Sequence, residues 1–317
     1  VAQHIPVLCG SVVAAFDRQF AGAPVVDGTC GWGGHSDALL ARFPALRVVA
    51  IDRDARAVAA GTERLARHGD RAVVAHGRFG DWPRLLHGMG LERAAGLLLD
   101  LGVSSPQLDV AERGFSFARE GPLDMRMDDS SGPTVHELLH ATPESDLADI
   151  LWRLGEERLS RRIARGIKQA LADGAMRTTL DLARVCRDAY PRGHHRIDPA
   201  TRTFQALRMA LNDELGELER ALDGCQTHLA SPGVVAVISF HSLEDRIVKQ
   251  RFRHWQATES GRILKPEFVT ADESERQANP RSRSAKLRVF LWGQSPPAVD
   301  PADKYRSRRH RQGHGNR

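Results

Sequence analysis

The sequence predicts an α/β fold: a parallel-rich sheet covered by helices on both faces, with a helical domain inserted between two of its strands. Three observations lead there. Short apolar runs rich in branched residues alternate with helix-like segments over the N-terminal third. A glycine-rich turn follows the first of those runs. A long stretch of helical periodicity then separates the fourth run from the fifth.

Taken in order, the runs at 24–27, 47–51, 72–75 and 96–101 read as buried strands, with helices at 36–43, 54–68 and 82–88 between and after them. Such alternation argues for parallel strands. It places the strand-ending motifs at the carboxyl edge, where open sheets of this kind bind ligands. Segments 144–154, 157–171 and 180–190 carry apolar residues three and four apart, so 108–199 reads as the inserted helical domain. Phe204, Leu207, Leu211, Leu215, Leu218 and Leu222 form one stripe, which predicts a single long amphipathic helix over 200–222 returning to the sheet. The runs at 234–240 and 286–292 supply the fifth and last strands. The expected division is therefore 1–107 and 200–302 for the two parts of the sheet domain, 108–199 for the insert, and 303–317 for a basic tail with Lys304, Arg306, Arg308, Arg309, Arg311 and Arg317.

Composition bounds the rest. With 41% hydrophobic residues in 317, the chain can bury a substantial core. Lys and Arg exceed Asp and Glu by 45 to 40, a mild basic excess compatible with a nucleic-acid partner. The four cysteines, Cys9, Cys30, Cys186 and Cys225, have no C-x-x-C spacing, which argues against a zinc ribbon and for a reduced, cytoplasmic protein. No ligand cluster suggests a metal site, no apolar run reaches the ~20 residues of a membrane span, and no secretory signal is visible.

The first strand runs into Asp27-Gly28-Thr29-Cys30-Gly31-Trp32-Gly33-Gly34-His35-Ser36. Glycines there permit positive φ and close approach of a ligand, and the helix start offers free amides. Read from Gly31, the dinucleotide pattern G-x-G-x-x-G fails at its third glycine, which is Ser36. The match is to the acidic-x-x-x-G-x-G pattern of nucleoside-binding methyltransferases, with Asp27 as an acid able to meet an ammonium group. Asp52, ending the second strand, suits ribose hydroxyls. Both features also suit NAD, and they leave the choice of cofactor open.

The fourth strand ends in Leu99-Asp100-Leu101-Gly102-Val103-Ser104-Ser105-Pro106-Gln107 and continues through Arg113-Gly114-Phe115-Ser116-Phe117 and Leu123-Asp124-Met125-Arg126-Met127-Asp128. Here the sequence closely resembles the bacterial RsmH/MraW family, S-adenosylmethionine-dependent 16S rRNA cytidine N4-methyltransferases. The resemblance extends over nearly the whole chain. It includes His4-Ile5-Pro6-Val7-Leu8, Gly155-Glu156-Glu157-Arg158, Pro199-Ala200-Thr201-Arg202-Thr203-Phe204, Ile238-Ser239-Phe240-His241-Ser242-Leu243-Glu244-Asp245-Arg246 and Asn279-Pro280-Arg281-Ser282-Arg283. It departs at Ser11, Leu154, Asp198 and Phe290.

The resemblance implies a class I methyltransferase (Rossmann-like) sheet and S-adenosyl-L-methionine as cofactor. It implies transfer of a methyl group to N4 of a cytidine in the decoding region of small-subunit ribosomal RNA, within the assembled subunit, by a monomer or homodimer. Gly31, Gly33, Gly34 and His35 in the turn, Asp27, Asp52, Phe79, Asp100 and Gln107 become the expected cofactor contacts. Asp100 is also a candidate acceptor for the N4 proton, its competing role being to hold the donor. His241 is the second catalytic candidate, and equally a helix N-cap with Ser242. Phe115, Phe117 and Phe240 are candidates to stack on an unstacked base. Arg202, Arg208, Arg281, Arg283, Lys286 and Arg288 are candidates for phosphate contacts, with internal salt bridges as the alternative.

Overall fold

The computed structural model describes residues 6–17 and 22–293. The basic tail, and His4 and Ile5 of the first motif, lie outside them. Among the described residues, seven strands form one sheet: β1 Val25–Asp27, β2 Val48–Asp52, β3 Ala72–His76, β4 Ala94–Asp100, β5 Leu229–Ser239, β6 Gly261–Ile263 and β7 Lys286–Trp292. Their spatial order is β3-β2-β1-β4-β5-β7-β6. The first five in that order are parallel, and β7 runs antiparallel between β5 and β6. This is a class I methyltransferase sheet, as expected. β1 and β4 are central and buried almost throughout, which is why their sequences are continuous apolar runs rather than alternating ones.

Among the described residues, thirteen α-helices accompany the sheet: α1 Cys9–Ala15, α2 Gly34–Arg42, α3 Ala55–Leu65, α4 Trp82–Gly88, α5 Ser105–Asp109, α6 Val135–Ala141, α7 Glu144–Gly155, α8 Ser160–Ala172, α9 Thr179–Ala189, α10 Ala200–Asn212, α11 Glu214–His228, α12 Ser242–Ala257 and α13 Glu273–Ala278. One face of the sheet packs with α1 and α2 around Val12, Phe16, Leu39 and Leu40. The other packs with α4, α11 and α12 around Trp82, Leu218, Phe252 and Trp255. None of the described helices is long and apolar enough to cross a membrane.

A third apolar cluster is separate from the sheet. It joins Val135, Leu147, Leu151, Ile163, Ile167, Leu182 and Phe204 of α6 to α10 with Phe115, Leu123 and Met125 of the preceding loop. Local signals set its boundaries. Thr178 and Asp181 form a reciprocal capping box at the start of α9, and Thr134 and Glu137 form another at α6. Thr178→Ala removes the acceptor for the Asp181 amide and is expected to cost about 1 kcal/mol in chemical denaturation, with no change in donor affinity.

The single helix expected over 200–222 is two helices. Asp213 adopts φ 51°, ψ 40°, which ends α10 and redirects the chain into α11. The apolar stripe is thereby shared between two cores: Phe204, Leu207 and Leu211 pack in the helical cluster, Leu218 and Leu222 against the sheet. Asn212, just before the break, is 2% exposed. Its amide donates to the Met125 carbonyl (2.8 Å), and its Oδ1 accepts from the Met127 amide (2.9 Å). Polar residues at the break thus pin the loop that leads into the insert.

Candidate functional site

The carboxyl ends of the parallel strands open onto one cavity. β1 ends at Asp27, and the glycine turn crosses the edge of the sheet: the Gly28 amide donates to the Leu98 carbonyl and the Cys30 amide to the Ile51 carbonyl. Gly31 and Gly33 take φ 51° and 72°, the left-handed region that side chains resist. α3 approaches the turn closely at Gly61, where a Cβ would lie 2.6 Å from Cys30 Sγ.

Seven expected cofactor residues line this cavity: Gly31, Gly34, His35, Asp52, Phe79, Asp100 and Gln107. Asp27 and Gly33 do not. Asp27 is 1% exposed; its carboxylate accepts from Ser36 Oγ at 2.6 Å and from the Thr29 amide at 3.2 Å. Burial raises its pKa, against the pull of the Ser36 hydrogen bond and His35. It ties the turn together from within rather than presenting a charge to the cavity.

Asp52 is held at both oxygens, Oδ2 accepting from the Gly31 amide (2.7 Å) and Oδ1 from the Asp54 amide (2.9 Å). Burial pushes its pKa up to about 6, although both amides favour the charged form. A folded-state value above the unfolded one means that ionising Asp52 costs stability as pH rises from about 4 through about 6. A ligand hydroxyl donating to the carboxylate favours the ionised form. Donor affinity is therefore expected to weaken as pH falls below about 6 and to level off above it, and calorimetric titration across that range checks this. In Asp52→Asn the dependence should vanish along with most of the affinity.

His35 and Asp100 form the other charged feature. His35 Nε2 lies 3.3 Å from Asp100 Oδ2, with His35 6% and Asp100 23% exposed. Burial opposes a charged imidazole, but Asp100, Cys9 and Asp27 outweigh it and raise its pKa to about 10. Asp100 is anchored by its amide, which donates to Thr29 Oγ1 at 2.6 Å. Its Oδ1 is buried without a hydrogen-bond partner among the described residues.

Beneath the cavity lies a buried polar network. Arg113, 5% exposed, donates to Asp54 Oδ2 (2.7 Å) and to the carbonyls of Arg126 (3.0 Å) and Met127 (2.9 Å). Gln107 Nε2 donates to the same Asp54 oxygen at 3.1 Å, while its Oε1 accepts from the Ser104 amide at 2.9 Å. Asp54 also caps α3 through the Arg56 amide. The donor end of the site and the loop entering the insert are thereby one connected unit.

His241 is the N-cap of α12: its Nδ1 accepts from the Glu244 amide at 3.4 Å, and its Nε2 lies 3.1 Å from Glu244 Oε1. Its neighbours Phe240 and Glu244 line the cavity, and His241 does not. Of the aromatic candidates, Phe240 reaches the cavity; Phe115 sits beneath the Arg113 guanidinium and Phe117 against Phe204. Among the cations, Arg208 pairs with Glu214, and Arg288 and Lys286 with Asp245. Arg281 lines the cavity and donates to Asp109. Sequence reasoning missed Thr29, Arg53, Met127, Glu214 and Glu244 as lining residues. Thr29, within the glycine turn, and Glu244, within the 238–246 run beside His241, had a local signal; Glu214, at the start of α11, had none.

Comparison with known proteins gives the following. A model described as the MraW methylase family matches residues 1–291. A ribosomal RNA small subunit methyltransferase H from Sorangium cellulosum is 51% identical over 288 residues, covering 90% of each chain. Its namesake from Paramagnetospirillum magneticum is 47% identical over 310 residues, covering 92% of this chain and 96% of its own. That from Rhodospirillum centenum is 48% identical over 301 residues, covering 90% of this chain and 91% of its own.

Proposed function

The chain belongs to the MraW methylase family and is a methyltransferase, and from that premise we propose that it transfers a methyl group from S-adenosylmethionine to N4 of one cytidine in the decoding region of small-subunit ribosomal RNA. The observation that carries the reading is the cavity at the carboxyl edge. It gathers the glycine turn, Asp52, Phe79 and Asp100 beside Gln107 and Met127 of the loop entering the insert. The residues present fit the donor. A buried, unpartnered oxygen on Asp100 awaits a hydrogen-bond donor, Asp52 offers a carboxylate to ribose hydroxyls, Phe79 offers a flat face to adenine, and the turn offers backbone amides.

S-adenosylmethionine, when bound, supplies an electrophilic methyl carbon on a sulfonium. The chain's residues have to place the acceptor amine in line with it and exclude water. The N4 lone pair is delocalised into the cytosine ring. Asp100 would accept a hydrogen bond from the exocyclic amine, stabilise the positive charge that develops on N4 as the N4–CH3 bond forms and the S–CH3 bond breaks to leave a neutral thioether, and take the proton that N4 gives up. Phe240 stacks on the unstacked base. His241 holds Glu244 in place as a cap. The insert, 108–199, recognises the RNA around the target in the cytoplasmic small subunit, and the protein acts as a monomer or homodimer.

The test uses isotopically labelled S-adenosylmethionine and small subunits from a strain lacking the homologous enzyme, followed by nucleoside mass spectrometry. Label in N4-methylcytidine at one site is expected. Donor binding without labelled RNA would move the acceptor to another class of molecule.

A further inference from the structure

Residues 151–200 hold eleven Lys and Arg against six Asp and Glu, a net charge of +5. Four of those acids are engaged locally. Glu157 is fully buried and accepts from the Tyr190 hydroxyl (2.7 Å), Asp181 caps α9, Asp198 pairs with Arg187 (2.8 Å), and Asp173 accepts from Gln169. Glu156 and Asp188 are exposed.

Glu156 marks a junction between the insert and the sheet domain. Its carbonyl accepts from Arg202 (3.3 Å), and its carboxylate pairs with Arg246 (3.4 Å) and accepts from Ser242 Oγ (3.3 Å). Ser242 stands two residues after the cavity-lining Phe240. The Tyr190–Glu157 bond brings the 190–197 loop alongside, and Arg162, donating to the Asp188 carbonyl (3.3 Å), brings α8 to the same place. The elements that meet here carry six exposed arginines: Arg158, Arg162, Arg192, Arg196, Arg202 and Arg246. Among the described residues, Arg158, Arg192 and Arg196 have no acidic partner. Trp152, in the last turn of α7 just before its left-handed C-cap Glu156, is 57% exposed. Ile197, in the loop, is 55% exposed.

Unpaired cations and an exposed indole on elements that meet at one junction suit a nucleic-acid strand whose bases are free to stack: guanidinium groups meet phosphates, and an aromatic face accepts a base of any identity. A base that must leave its stack to be modified presents unpaired neighbours on either side. We propose that this junction binds the single-stranded nucleotides flanking the acceptor base, with Arg158, Arg192 and Arg196 on phosphates and Trp152 stacked on one base. The proposal rests on the reading of RNA as the acceptor. It adds a surface outside the donor cavity that decides where along the strand the target is presented.

The experiment titrates dye-labelled protein with unmethylated small ribosomal subunits at several salt concentrations, following anisotropy, and measures donor affinity in parallel. Arg158→Glu with Arg196→Glu is expected to weaken subunit binding at least about ten-fold and to flatten the dependence of log K on log salt by roughly 1.4. Trp152→Ala should weaken it about five-fold or more with the salt slope unchanged. Donor affinity should stay at the wild-type value in all variants, which also reports that they are folded. Reversal variants that bind subunits as tightly as a wild type that binds and methylates them would overturn the surface alone. A wild type that neither binds nor methylates RNA would overturn the acceptor reading and this surface together.

Discussion

Asp100→Asn is expected to lower kcat/KM by roughly 10²–10³, the loss typical of one preorganised contact to developing charge. The substitution keeps the size of the side chain and the anchoring of the Asp100 amide by Thr29. It removes the charge facing His35 and the cavity. Two measurements separate its roles. If Asp100 only holds the donor, the dissociation constant rises while single-turnover rates at saturating donor stay near wild type. If it also takes charge from the acceptor amine, the saturated rate falls too. An unchanged kcat/KM would remove Asp100 from the mechanism. His35 gives an independent signature. Its folded pKa of about 10 lies above the ordinary value of 6.5, so its contribution to stability is complete below about 6.5 and lost as pH rises through about 10. Without the Asp100 charge, that alkaline loss should begin at lower pH.

Arg113→Met should destabilise the protein by about 3–5 kcal/mol, because it strands a buried carboxylate. Asp54 is 4% exposed and would keep only Gln107 and the Arg56 amide as partners, while the carbonyls of Arg126 and Met127 lose their shared donor. The Asp54 amide also holds Asp52, so donor affinity should fall with stability. Arg113→Lys retains the charge but cannot span three acceptors with a planar fork, and should recover only part of both losses. Urea denaturation with and without donor decides this. A variant that unfolds at the wild-type midpoint would show that the network contributes little.

The parallel strands were legible because buried central strands must be apolar on both faces, which leaves runs such as Leu97-Leu98-Leu99. β6 was not: Gly261, Arg262 and Ile263 pair only with β7 at the edge of the sheet, and three residues carry no pattern. The break at Asp213 was hidden because the leucine spacing runs through it unchanged, and only the left-handed backbone at that residue sends each half to a different core. In the site, the glycine turn, Asp52 and Asp100 were readable as strand-ending motifs. That Asp27 turns inward was not, since its partner Ser36 is nine residues away and shares the turn only once the chain is folded. The Asp54–Arg113 pair spans 59 residues and had no local sign at all.

The helical insert has its own apolar cluster, yet its entry loop is clamped to the donor end of the sheet by Arg113, and to the end of α10 by Asn212. A core of that kind can open as a cooperative unit at a free energy below that of global unfolding. Opening it would release Met127 from the cavity wall. A small molecule bound at the sheet edge should therefore slow amide exchange in α8 and α9, helices that do not line the cavity, by the factor its concentration sets through mass action. The insert would then spend more of its time assembled for the methyl acceptor when the methyl donor is already in place, and substrate addition would acquire a preferred order without any moving lid.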